Sequence, residues 1–301
     1  NLDQMPEAAK EAPEWTLADR WIRARHRQLT ETINRLFESY QFGEAGRQIY
    51  DFFWTEFADW YIEIAKDQIA EGGDRAFYTI QTLVKVFDDC LRFLHPFTPY
   101  VTEELWGHLR EASQETSDRL APKGGWEEAL IIAQWPEVIE LEGWEADVVD
   151  DFNIIQEMIR DIRNIRAEYK VDQNKDIAAK ISSREKFDFM QDQRQLFVSS
   201  SGINPYQLEI TREPIEPSDE YVTLVYPSTD IALPIKGLVD VEAERERLEK
   251  ELAESQSQIN RLEKLLAGPF AQKAPGDVVQ KEREKLESYR ETAARIQQQL
   301  Q

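Results

Sequence analysis

From Val241 onward apolar side chains recur at heptad spacing, and that repeat constrains the fold of this chain more than any other feature. In a first arm Val241, Leu248 and Leu262 take one seam position and Leu252, Ile259 and Leu266 the other, with Arg245 and Ser255 as polar exceptions. A second arm sets Val279, Leu286, Ala293 and Leu300 against Tyr289 and Ile296, Glu282 being the exception. Gly268-Pro269 stops one helix and Pro275 can open the next, so residues 238–301 are expected to fold back as an antiparallel coiled-coil hairpin. A helix of about 27 residues at ~1.5 Å each makes an arm ~40 Å long. A two-position seam buries one face of each helix and leaves the others open.

Upstream, from Thr16 to about Ile139, apolar positions recur at helical spacing between breakers at Gly43, Gly72-Gly73, His95-Pro96 and Gly124-Gly125. This predicts an antiparallel bundle of four or more helices within residues 1–144. Its core is expected from Leu29, Ile33, Leu36, Phe37 and Tyr40, from Phe53, Phe57, Trp60 and Ile64, and from Tyr78, Leu83, Val86 and Leu91. Thr98 reads as an N-cap with Pro99 at the first helical position. Residues 145–237 change texture. A helix from about Glu145 to Tyr169 precedes β-rich runs at 177–181, 206–210, 221–226 and 230–235, with a helix near 186–199, which predicts a small α+β unit. The fold class is therefore mainly α: a helical bundle, a small α+β unit and a coiled-coil hairpin.

Composition narrows the function. Of 301 residues 41% are hydrophobic, which is enough for packed cores, yet no apolar run reaches the length of a membrane span and no signal peptide is read, so a cytoplasmic location is expected. The single Cys90 cannot close an internal disulfide, and His26, His95 and His108 have no metal-ligand spacing, so no metal site is expected. No nucleophile, base and orienting group can be assembled, and no Gly-rich phosphate loop exists; no catalytic residue is assigned. Lys180-Ile181-Ser182-Ser183-Arg184 superficially resembles an ATP-binding K-M-S-K-S loop, but no nucleotide-binding αβ pattern precedes it, and it reads as a strand end. The net charge of -22 argues against nucleic acid. That acid is uneven, however: residues 238–301 hold 11 Lys and Arg against 13 Asp and Glu, so 20 of the 22 net negative charges lie before them.

Local stripes could still meet RNA. Arg20, Arg23 and Arg27 form one basic line on the first helix, and Arg160, Arg163 and Arg166 form a second. Both are candidate phosphate contacts, the alternative being a solvated face paired with nearby carboxylates. In the aromatic run Phe52–Ile62 most rings fall on one core stripe at 100° per residue, whereas Ile62 lies opposite with Thr55, Asp59 and Lys66. Toward the hairpin tip Lys264, Lys273, Lys281, Arg283 and Lys285 gather positive charge.

Three segments carry a resemblance. Leu17-Ala18-Asp19-Arg20-Trp21-Ile22, Phe57-Ala58-Asp59-Trp60-Tyr61-Ile62-Glu63 and Leu94-His95-Pro96-Phe97-Thr98-Pro99-Tyr100-Val101-Thr102-Glu103-Glu104-Leu105-Trp106 look like the anticodon-binding bundle of class I synthetases for aliphatic amino acids. Arg163-Asn164-Ile165-Arg166-Ala167-Glu168 and the hairpin's Phe270, Ala274-Pro275 and Val278 to Leu286 make the chain similar to bacterial-type valyl-tRNA synthetases. The resemblance implies that catalytic and editing domains lie before Asn1, that the full-length parent joins valine to its tRNA using ATP and Mg²⁺, and that this region alone is inactive and holds no cofactor. It implies valine tRNA as partner, an anticodon pocket on the face of Thr55, Asp59, Ile62 and Lys66, an arm near the tRNA elbow, a monomer, and no membrane contact. The alternatives are the same region of an isoleucyl or leucyl synthetase, or a coiled-coil scaffold that binds proteins and no RNA.

Overall fold

A computed structural model describes residues 15–122, 124–216, 218–235, 241–268 and 276–299. Residues 1–164 with 188–205 make one compact unit, and residues 165–187 with 206–301 make another. The expected mainly α class holds: a helical bundle, a small four-stranded sheet with short helices, and a helical hairpin.

The bundle begins with α1, Leu17–Glu38. Thr16 caps it through a reciprocal box, accepting from the Asp19 amide at 3.1 Å while the Asp19 carboxylate accepts from the Thr16 amide at 3.1 Å. Asp19 is fully buried, and it also accepts from the Tyr61 hydroxyl at 2.8 Å and pairs with Arg75 at 3.3 Å. Burial first, and Asp19 second, push the Tyr61 phenol well above its usual range. α1 buries Trp21, Ile22, Leu29, Ile33 and Leu36, but Tyr40 is exposed, because the helix ends before it and its side chain turns outward.

A single helical run follows, made of α2 (Phe42–Asp51), a π-helical segment (Phe52–Ile62) and α3 (Glu63–Ala70). The π segment corrects the expected core stripe. Phe57, Trp60 and Ile64 are buried as predicted, yet Phe53 is only half-buried, while Phe52 and Tyr61, which the stripe omits, are buried. The physical reason is winding: i→i+5 bonding widens the turn beyond the 3.6 residues that a 100° step assumes. α4 (Gly73–Leu94) and α5 (Pro99–Thr116) complete the antiparallel pairs, with Leu83 half-buried on α4. Thr98 stands at the N-cap position and Pro99 at the first turn, but the Thr98 side chain makes no capping bond; its hydroxyl lies 3.4 Å from the Leu94 carbonyl instead. Trp106 is fully buried and donates to Asp88 at 2.7 Å.

α6, Trp144–Glu168, lays Val148, Phe152, Ile155, Met158 and Ile159 inward. Strands β1 (Ile177–Ser182), β2 (Ile203–Thr211), β3 (Tyr221–Tyr226) and β4 (Thr229–Pro234) form a sheet of order β2-β1-β4-β3, with β4 antiparallel to both β1 and β3, at the β-rich runs of the sequence. Lys180 opposes Ala232 and Ser182 opposes Asp230, so the K-M-S-K-S look-alike is the end of β1, with Ser183 and Arg184 just past it. Between β1 and β2 lie α7 (Phe187–Asp192) and α8 (Arg194–Ser201), the latter closed by Gly202 at φ 66°, a left-handed position that suits glycine.

The hairpin consists of a first arm helix, Val241–Ala267, and a second, Gly276–Gln299. Ile259, Leu262, Leu286 and Ala293 form its core, flanked by Leu252, Leu265 and Leu266, and Ser255 is buried in the seam. Glu263 meets Arg290 across the pair at 2.6 Å. Tyr289 is partly exposed at the edge of the seam. Pro269, Phe270, Lys273, Pro275 and Leu300 lie outside the described residues, as do the side chains of Val241, Arg245, Leu248, Val279 and Ile296. Among the described residues no helix is long and apolar enough to cross a membrane.

Candidate nucleic-acid interface

An aromatic spine joins the helices that carry the two arginine lines. Trp21 on α1 stacks on Phe152 of α6 with centroids 4.1 Å apart, and Phe152 meets Trp60 of the π segment edge-on at 6.2 Å. The guanidiniums decorate this spine. Arg160 and Arg163 both sit over the Trp60 ring, at 5.4 and 5.3 Å from its centroid. Arg163 is further fixed by donating from Nε to the Ser200 carbonyl at 2.6 Å. Burial, and then the neighbouring charge of Arg160, lower the Arg163 pKa. Among the described residues neither arginine meets a carboxylate, which is unusual on a chain of net charge -22.

The first line divides. Arg20 is exposed, 5.7 Å from the Trp144 ring centroid, while Arg23 lies 4.4 Å over Trp15, its pKa lowered by burial and by Arg27. Arg27 is committed to carboxylates, 3.0 Å from Glu142 and 2.8 Å from the buried Glu145. Arg23 and Arg27 also border a cleft of about 80 Å³ beside His26, Lys85 and Asp89. Burial pushes the Asp89 carboxyl up, but His26 at 2.9 Å and Lys85 at 2.8 Å outweigh it and hold it below the usual carboxylate range. In the second line Arg166 belongs to the other compact unit and donates to the Asp172 carbonyl at 3.2 Å.

The helical run from Phe42 to Ala70 carries the expected anticodon face. Thr55, Asp59 and Lys66 are exposed, whereas Ile62 is half-buried, because the π winding rotates it toward the core. The Thr55 hydroxyl donates to the Asp51 carbonyl at 2.7 Å, and Lys66 is held by Glu63 at 2.7 Å. Sequence reasoning missed Tyr50 and Trp54, an exposed pair with centroids 6.2 Å apart on the same run. Their i, i+4 spacing off the core stripe was the available signal.

On the arm Lys264, Lys281 and Arg283 are exposed, Lys285 is exposed but paired with Glu282 at 2.7 Å, and Lys273 lies outside the described residues. Lys264 also belongs to a wider surface whose other members were not anticipated. Ala253, Gln256, Ser257, Asn260, Arg261 and Lys264 line one exposed face of the first arm helix, flanked by the exposed Glu254 and Glu263. Side-chain amides, hydroxyls and basic groups such as these can hydrogen-bond phosphate and ribose oxygens.

Known proteins match both regions. Residues 19–181 match the family described as anticodon-binding domain of tRNA ligase, and residues 240–301 match the valyl tRNA synthetase tRNA binding arm. The valine–tRNA ligase of Bacillus subtilis (strain 168) is 33% identical over 279 residues, covering 92% of this chain and 30% of the relative. That of Geobacillus stearothermophilus is 36% identical over 279 residues, with the same coverage of 92% and 30%. That of Thermotoga maritima is 35% identical over 280 residues, 93% of this chain and 30% of its own length. The chain thus spans about 30% of the length of the curated relatives it matches. With an anticodon-binding domain over more than half its residues and a tRNA binding arm behind it, the chain belongs to the valyl-tRNA synthetase family.

Proposed function

We propose that this chain grips valine tRNA for a full-length ligase that joins valine to that tRNA, with the bundle reading the anticodon loop and the hairpin holding the tRNA body. The reading divides the chain into a bundle at 1–144, an α+β unit at 145–237 and an arm at 238–301, acting as a cytoplasmic monomer. ATP and Mg²⁺ belong to the activation step of the full-length parent. The chain spans about 30% of the length of the relatives it matches, and the reading assigns activation of valine and charging of tRNA to the rest of the parent; valine-dependent pyrophosphate exchange by this chain alone would contradict that. Its work is binding. Unpaired anticodon bases are read on their edges and faces, which suits the exposed run Thr55, Asp59 and Lys66 with Ile62 at its margin.

The observation that carries this reading is the pair Arg160 and Arg163 on Trp60, two guanidiniums held side by side without a carboxylate. Such a pair is completed by an anion that bridges both, as a backbone phosphate does. Arg20 and Arg23 extend the positive surface, while Arg27, already neutralised by Glu142 and Glu145, fixes the α1 end of it. On the arm the contact falls to the face around Lys264 and Arg261, with Lys281 and Arg283, and less with Lys285 because Glu282 holds it; Lys273, outside the described residues, is kept as a candidate from the sequence. Replacing Arg160 and Arg163 together with alanine should weaken valine tRNA binding and reduce the salt slope by roughly 0.7 to 0.9 per lost phosphate contact. Filter binding across a salt series checks this, and an unchanged slope would return the pair to a solvated face.

A further inference from the structure

α1 closes on a strained tyrosine. The Gln41 amide donates to the Leu36 carbonyl at 2.8 Å and the Tyr40 amide to the Phe37 carbonyl at 3.0 Å, the wrapped ending that places one residue in the left-handed region. That residue is Tyr40, at φ 58°, where a side chain crowds the backbone and glycine is the favoured occupant. Burial does not offset the strain. Tyr40 is 81% exposed, and its recorded ring contact is an edge-on approach to Phe42 at 6.1 Å. Folding alone therefore favours glycine here, and an aromatic held against that preference marks a binding position.

The surroundings indicate what binds. Phe42 is 45% exposed and stands edge-on to Phe37 at 5.3 Å, and Phe37 in turn meets Phe97 at 6.1 Å and Trp135 at 4.9 Å. A partly buried ring thus anchors an exposed rim of Tyr40, Phe42 and Phe97. At ~150–250 Å² for a whole aromatic side chain, three partly covered rings supply less than the ~800 Å² per partner of a stable protein interface, but they match the face of a base. Stacking needs no positive charge and so works on an acidic domain, and only an unpaired base has a face free to stack. The cluster's Tyr40, Phe42 and Phe97 all lie within the anticodon-binding match.

We propose that Tyr40 and Phe42 form a stacking ledge for an unpaired base of the bound tRNA's anticodon loop; this rests on the tRNA-binding reading above. The test uses the full chain and a valine tRNA carrying 2-aminopurine at an unpaired loop position. Wild type and Tyr40→Phe should quench its fluorescence on binding. Tyr40→Gly should lose the quench and weaken binding about tenfold, yet raise the melting temperature by about 2 °C as the strain is relieved. Tyr40→Asn, which tolerates the left-handed backbone but has no ring, should bind as poorly as the glycine variant. Opposite signs for stability and binding are what a purely structural tyrosine cannot produce. If wild type binds and Tyr40→Gly binds and quenches equally, or if Tyr40→Gly melts lower, the ledge is wrong while the tRNA reading stands. If wild type binds no tRNA, that reading falls and the ledge with it.

Discussion

Replacing Trp21 with alanine should destabilise the bundle by about 4 kcal/mol and lower its melting temperature by about 10 °C. Trp21 is one of the largest fully buried side chains, and its ring is stacked against Phe152. Alanine at that position leaves a cavity where α1 and α6 meet, and neither neighbour can collapse into it without moving its own aromatic contacts. The loss is also functional. Phe152 abuts Trp60, on which Arg160 and Arg163 rest, while Arg20 lies over Trp144 at the start of α6. The variant should therefore bind tRNA more weakly even at a temperature where it remains folded. Calorimetry with tRNA binding below the transition checks both parts; a variant that melts within a degree or two of wild type would remove the spine from the account.

Deleting residues 238–301 should weaken valine tRNA binding about 100-fold and reduce the salt slope by about 2 to 3, the loss expected for three or four phosphate contacts. The bundle's melting transition and the preference for a valine anticodon should survive, because an arm that meets sugar and phosphate carries no base-specific information. Affinity unchanged by the deletion would make the hairpin a purely structural or protein-binding arm. Loss of anticodon preference with the bundle intact would mean that the arm reads bases.

Regular periodicity was legible in the residues themselves. The four β-rich runs sit where the strands are, the helix from about Glu145 is α6, and the heptad positions Ile259, Leu262, Leu286 and Ala293 form the hairpin core. The π segment was not legible, because a 100° step presupposes α winding, and its wider turn brings Tyr61 in and leaves Ile62 at the margin. Nor was the state of the arginine lines. Arg27 is neutralised by Glu142 and Glu145, more than 100 residues away, and Arg160 and Arg163 share an indole from another helix. The family motifs turn out to be structural joints. Asp19 of the first bonds Tyr61 of the second, His95 and Thr102 of the third lie 2.8 Å apart, and Glu103 accepts from the Leu130 amide at 2.7 Å. These residues help to hold the bundle together, while the candidate ligand positions, some inside the motifs (Arg20, Asp59, Phe97) and some between them (Tyr40, Thr55), are separated from the joints only by exposure, which has to be seen in three dimensions.

The most direct test is the affinity of the purified full chain for valine tRNA, for the same tRNA with its anticodon bases replaced, and for isoleucine and leucine tRNAs, all at one salt concentration near physiological. The account predicts that the unaltered valine tRNA binds most tightly and that the anticodon substitutions weaken binding by about 1–3 kcal/mol per base, the energy of one lost stacking or edge contact. Equal affinity for all four RNAs, or no binding to any of them, would contradict it.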